Sequence, residues 1–292
     1  MTGQSTVVTF ASGSVTGTGT VRSVHPLPEG AIVVVDATPF HPVDHTWPDQ
    51  PGDPGVIRSE DGAALEVVEA VMVAAGDDGA FAVGSDIPVK RGAEGWTWQV
   101  GHRVAAGEAP EWLGPGVDVS LSVDADVRAA LSRGHTACHL ASLALDLAVA
   151  DLWRKDPGSD ALGNPDFEGR ANQSSRIAGD SSIDEYRLGK SLRRAGFDTE
   201  TFAATLAERE SLINAQLSAW VASAAPSEIE VDGPTIVDRR RWRCALPEGE
   251  AVIPCGGTHV RSLSEFTEIR VALDLSDPQL LVMTTTTVSR RA

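Results

Sequence analysis

Cysteine and lysine are scarce in this chain, and long apolar runs are missing. Only three cysteines occur in 292 residues, Cys138, Cys244 and Cys255. So small and odd a number argues against a disulfide framework and leaves room for a metal ligand. No run of about 18 apolar residues exists, so no membrane-spanning helix is expected. The opening MTGQSTVVTF lacks a basic segment followed by an apolar one, so no signal peptide is read and a cytoplasmic protein is expected. Lysine appears at Lys90, Lys155 and Lys190 alone, and arginine carries nearly all the positive charge. The formal net charge is -17, from 24 basic and 41 acidic residues. Such a chain is a poor global match to a nucleic-acid polyanion. A DNA partner is therefore not expected, and any tRNA must be held by a local basic patch.

What is present is ordinary for a globular protein: 42% apolar residues and enough length for two modest domains or one large one. Residues 1–110 read as β-rich. TVVTF, AIVVVDATPF, ALEVVEAVMVAA, AFAVG and WTWQVGHRV are short β-branched or aromatic runs between Gly, Pro and Asp clusters. They suggest a small barrel or sandwich. The segment HPVDHTWPDQPGDPG, residues 41–55, interrupts them as a long proline-rich loop. Residues 106–118 read as a linker. From about Ala125 to Arg154 the apolar period changes to three and four, which predicts a long helix with Asp124 as its N-cap. A polar loop is expected next, then a short helix over DEYRLGKSLRRAGF. A second long helix over TETFAATLAERESLINAQLSAWVASA is expected to be capped by Thr199 or Thr201. Residues 228–292 alternate in period two, as strands. The fold class expected is α+β, with a second domain over 118–292.

Two short motifs carry chemistry. In HTACH, His135 and His139 stand at i and i+4, so both rings project from one helical face. That geometry offers two nitrogen ligands to a metal. Two such histidines also occur by chance, and the pair alone does not decide. In PCGGTHV, Gly256 and Gly257 allow a tight turn between Cys255 and His259. A glycine hairpin reads equally well. Together, three imidazoles and a thiolate form a borderline-soft set that suits zinc better than magnesium or calcium. The first motif lacks the Glu of His-Glu-x-x-His, which removes the zincin general base. Cys138 lies off the histidine face and reads as a core residue.

HTACH followed by PCGGTHV about 120 residues later resembles the editing domain of alanyl- and threonyl-tRNA synthetases. It resembles the free-standing AlaX-type editing proteins more closely still. TPFHPVDHTWPDQPGDPG resembles the TPF…GGQ.GD.G signature of the small β-rich domain that precedes it. VDADVRAALSRGHTACH, with Asp124 and Arg128, resembles the family's lead-in to the first motif. The resemblance implies a β-barrel-like N-terminal domain and a two-layer α/β editing domain of the synthetases' second additional domain type. It implies Zn2+ held by His135, His139, Cys255 and His259. It places Gln50, Thr136 and Thr258 near the pocket. The activity implied is hydrolysis, in trans, of the ester joining a wrong amino acid to a tRNA.

The chain departs from the family before Gln50. Thr38 to Gln50 is three residues longer, Pro48 and Asp49 replace the two glycines, and His41 replaces the usual tyrosine. Asp44, His45 and Trp47 fill the added length; if Gln50 faces the metal, Asp44 and His45 touch the aminoacyl group, and otherwise the loop is surface decoration. The usual seryl- or glycyl-tRNA(Ala) substrates then compete with a threonine analogue such as fluorothreonine on tRNA(Thr). Catalysis is expected from a placed water, from backbone N–H groups of Gly256 and Gly257 facing an oxyanion, and from His259 as a loose ligand or base.

Basic patches are expected at Arg187, Lys190 and Arg194 on one helical face, flanked by Arg193, and at Arg239, Arg240, Arg241 and Arg243. Either serves as a tRNA contact or simply as a solvated face. Trp96 and Trp98 suit a base stack or the core. The chain is expected to act as a monomer or homodimer. Two other functions stay open: a metal-dependent hydrolase of a small ester or amide, and a non-catalytic zinc-stabilised binding module.

Overall fold

The computed structural model describes residues 4–105, 110 and 112–290. Part of the expected linker, residues 106–109 and 111, lies outside the described residues. The protein is mixed α+β, with a large antiparallel sheet and few helices. It divides into two compact units. One comprises residues 1–129, 231–240 and 256–258. The other comprises 130–230, 241–255 and 259–292.

Among its described residues, the first unit holds nine strands: β1 (Val7–Val8), β2 (Thr16–Leu27), β3 (Gly30–Val35), β4 (Ala37–Thr38), β5 (Gly55–Arg58), β6 (Ala64–Gly76), β7 (Phe81–Val83), β8 (Trp96–Val104) and β9 (Asp118–Val123). Seven form one sheet in the order β5-β9-β2-β3-β8-β6-β7. β5 pairs with both β9 and β6, which joins the two ends of a six-strand run, while β7 extends past β6, so the sheet is not a clean barrel. β3 explains its own unbroken apolar run, GAIVVV. Ala31, Val33 and Val35 join the main core with Ile57, Val67 and Trp98, while Ile32 and Val34 pack on the other face with Val71 and Val73. A strand buried on both faces does not alternate. Residues 41–54 form the long connection, as expected. It is pinned by Asp53, which accepts hydrogen bonds from Arg128 Nε at 2.8 Å and from the His41 N–H at 2.5 Å.

α1 (Ala125–Ala148) follows. The Asp124 carboxylate caps it, accepting from the N–H groups of Asp126 and Val127 at 3.1 and 3.0 Å. The helix passes Gly134 unbroken and stops at Ala148, short of the expected Arg154; a 3-10 turn covers Ala150–Leu152. Gly134 belongs in it because a Cβ there would come within 2.4 Å of the Ala178 carbonyl.

Three expectations for the second unit are corrected. The segment read as polar loop and helix contains α2 (Glu168–Ala171), β10 (Asn172–Ala178) and β11 (Ser181–Arg187), and only Lys190–Ala195 is helical, as α3. Arg187 therefore ends a strand and does not share a helical face with Lys190 and Arg194. The next helix is two, α4 (Thr199–Ala204) and α5 (Leu206–Ser223), and the cap of α4 is Asp198, accepting from Thr201 N–H. Neither Thr199 nor Thr201 is the cap. The strands after α5 are β12 (Ser227–Val231), β13 (Arg240–Leu246), β14 (Gly249–Pro254), β15 (Phe266–Asp277) and β16 (Leu280–Ser289). One sheet runs β10-β11-β16-β15 and another β12-β13-β14. α5 buries Ile213, Leu217 and Trp220, spaced by four and three, into the unit's core.

Candidate metal centre

His135, His139, Cys255 and His259 come together in the second unit. Their ligand atoms all lie within 4.8 Å of one another, a group that could hold a metal ion. Cys255 Sγ lies 3.4 Å from His135 Nε2 and 3.3 Å from His259 Nε2. The three imidazole rings sit with centroids 4.4 to 5.1 Å apart. One helical turn of α1 supplies the first pair. The chain leaving β14 supplies the other two. His139 Nε2 is buried with no hydrogen-bond partner among the described residues. Burial lowers its pKa to about 4, so the ring is neutral and its lone pair available.

Thr136 fixes the orientation of His259. Its hydroxyl donates to the Ser132 carbonyl at 2.8 Å, which uses its one hydrogen. Towards His259 Nδ1, at 3.2 Å, it must therefore accept, so Nδ1 carries the proton and Nε2 the lone pair. The same oxygen accepts from the Val260 N–H at 3.1 Å. Thr136→Val removes the acceptor while keeping the shape. It is expected to weaken metal affinity roughly 10–100-fold, the usual effect of losing a partner behind a ligand. A competition titration with a chelating dye measures this.

Trp242 was not singled out in the sequence as part of the centre. Fully buried, it stacks beside His139 and His259 at centroid distances of 5.3 and 5.6 Å. Its signal was the inward phase of RWRCAL in β13. Cys138 is buried, as expected, and its thiol donates to Asp184 Oδ1 at 3.3 Å. Around it runs a polar seam. Cys138, Ser142 and Asp146 follow at i, i+4 and i+8 along α1, and Ser182, Asp184 and Tyr186 are the buried residues of β11. Burial, then the charge of Glu168, pushes the Asp146 carboxyl up to about 9, against the two backbone N–H groups it accepts. The unfolded chain releases that proton near 3.8, so across pH 4 to 9 the native state binds more protons. The contribution to stability is complete below pH 4 and is lost as pH rises towards 9. Asp146→Asn should therefore unfold with a shallower pH dependence than wild type, as read by thermal melts between pH 5 and 9.

The other expected residues are dispersed in their roles. In the first unit, Gln50 Nε2 donates to Thr258 Oγ1 at 2.9 Å, and the Thr258 N–H donates to Gln50 Oε1 at 3.0 Å. Both residues are buried, and Thr258 adjoins His259 in the chain. Asp44 accepts from Thr46 and Trp47 and pairs with Arg91; His45 contacts the Val89 carbonyl at 3.1 Å and packs near Trp98. Trp98 is core. Neither Gly256 nor Gly257 has a left-handed φ, and a Cβ on Gly256 would meet only Arg91 at 3.8 Å. The bend between the ligands thus needs no left-handed glycine. The run 239–243 is not an open basic patch. Arg240 is buried over the Phe10 ring, Arg241 pairs with Glu230, and Arg243 pairs with Glu230 and Glu250. No helix of the described residues is long and apolar enough to cross a membrane. Compared with models of known protein families and with curated proteins, the chain matches none.

Proposed function

We propose that the protein is a zinc-dependent aminoacyl-tRNA deacylase that acts in trans on a mischarged tRNA. The observation that carries this reading is the convergence of the HTACH helix and the PCGGTHV segment on one three-histidine, one-cysteine cluster. Four-coordinate zinc with Zn–N of about 2.05 Å and Zn–S of about 2.3 Å needs an N–S separation of about 3.6 Å. Two N–S separations, 3.4 and 3.3 Å, are near that value, and the four ligand atoms as a set lie within 4.8 Å of one another. The orphaned Nε2 of His139 is the further support.

His135, His139, Cys255 and His259 would hold the ion. When bound, it supplies positive charge at the ester carbonyl, a water of lowered pKa, or an anchor for the amino group. The protein's own residues do the rest. Thr136 keeps His259 pointed through Nε2. That atom serves either as ligand or as base, and the Thr136 bond suits both, because each role uses the Nε2 lone pair. Gln50 clamps both the amide and the hydroxyl of Thr258 and so orders the backbone before His259. The resemblance to AlaX-type proteins supports the tRNA ester as substrate, either seryl- or glycyl-tRNA(Ala) or a threonine analogue on tRNA(Thr).

The closed four-ligand set also suits a structural zinc in a non-catalytic module. Incubation with a panel of misacylated tRNAs separates the two. Release of one amino acid supports the deacylase; release of none, with unfolding on metal removal, supports the module.

A further inference from the structure

The second unit gathers exposed positive charge where the sequence scatters it. After the 3-10 turn at Ala150–Leu152, the chain runs beside the C-terminal end of α3. Trp153 bridges Phe197 in antiparallel sense, and the Arg154 N–H donates to the Gly196 carbonyl at 2.9 Å. Lys155 Nζ donates to the Arg194 carbonyl at 3.0 Å. Gly196 is required for this approach. Its φ is +110°, and a Cβ there would fall 2.9 Å from Lys155 Cβ. Arg154 and Lys155 are thus laid against α3, whose Lys190, Arg193 and Arg194 are exposed. Two of the chain's three lysines are here.

A cavity of about 450 Å³ opens beside them, lined by Trp153, Arg154, Lys155, Asp156, Gly158 and Ser159 among others. The Trp153 indole N–H is buried and has no acceptor among the described residues. A buried donor without a protein partner calls for an acceptor from outside the chain, a water or a ligand. The nearby carboxylates are largely engaged: Asp198 with Arg154 at 2.5 Å, Asp156 with the Gly158 N–H, and Asp160 with the N–H groups of Leu162 and Asn164. Lys155, Lys190 and Arg194 have no carboxylate partner among the described residues.

We propose that this shelf, the 153–159 segment with α3, is where the tRNA backbone docks, its phosphates held by Lys155, Lys190, Arg193 and Arg194. This rests on the reading of a tRNA substrate. It revises the surface expected from sequence, leaving out Arg187 and adding Lys155 and the cavity at Trp153. Phosphate contacts give affinity that falls steeply with salt.

The test is a charge reversal, Lys155→Glu with Lys190→Glu and Arg194→Glu, alongside the same three positions changed to alanine. Binding of uncharged tRNA is followed by fluorescence anisotropy over a salt series. Hydrolysis of a short aminoacyl-oligonucleotide ending in CCA is followed in parallel. The reversal should weaken tRNA binding by at least ~10-fold at low salt, and the alanine set should lower the log–log salt slope by about 2–3. Hydrolysis of the short substrate should not change. Unaltered tRNA affinity and salt slope in both variants would overturn the shelf while leaving the deacylase reading intact. Salt-sensitive tRNA binding lost in the variants, with no hydrolysis by wild type, would support the shelf and overturn the deacylase.

Discussion

His135→Ala is expected to lose bound metal and ester hydrolysis together. His135 is 1% exposed, and its Nε2 sits 3.4 Å from Cys255 Sγ. Alanine leaves three donors and a void on α1. The loss in metal affinity should exceed the ~10–100-fold that removing an outer partner such as Thr136 costs. Metal analysis after gel filtration and a deacylation assay read the two effects. Cys138→Ala is the matched control. Its sulfur is turned to Asp184 and away from the cluster, so the variant should retain its metal. A His135→Ala protein with wild-type metal content would remove His135 from the ligand set.

Asp53→Ala should produce a large loss of stability in the first unit. Asp53 is fully buried and carries a fork to Arg128 as well as the His41 N–H. Removing it leaves a buried guanidinium without its carboxylate, with the carbonyls of Ser14 and Pro39 among its remaining partners. Breaking one partner of a buried pair costs about 3–5 kcal/mol, whereas replacing both by apolar groups is far milder. The double variant Asp53→Ala with Arg128→Met should therefore regain part of the loss. Urea unfolding monitored by tryptophan fluorescence measures it. Equal midpoints for wild type and Asp53→Ala would refute the account of this pair.

Half of the metal cluster was legible from helical spacing, since rings at i and i+4 share a face wherever the helix lies; its pairing with Cys255 and His259 was carried by the resemblance of the two motifs. The cap at Asp124 was legible for a similar local reason. β10 and β11 were not. The buried residues of β11 are Ser182, Asp184 and Tyr186, so the alternation that marks a strand has no apolar phase there. The Cys138 thiol that donates to Asp184 lies on α1, 46 residues away. The end of α3 misled in the opposite direction. Arg187, Lys190 and Arg194 have helical spacing, yet Leu188 and Gly189 separate a strand from a helix. Trp242 and the Thr136–His259 bond depend on contacts across more than 100 residues, which no local pattern records.

The central claim is that these four side chains hold an ion on which ester hydrolysis depends. The most direct measurement is the deacylation rate of one preparation on its preferred misacylated tRNA before chelation, after chelation and dialysis, and after zinc is restored. The rate should fall to background in the second state and recover in the third, with a stoichiometry of one ion per chain. An unchanged rate in protein shown to be metal-free would contradict the claim.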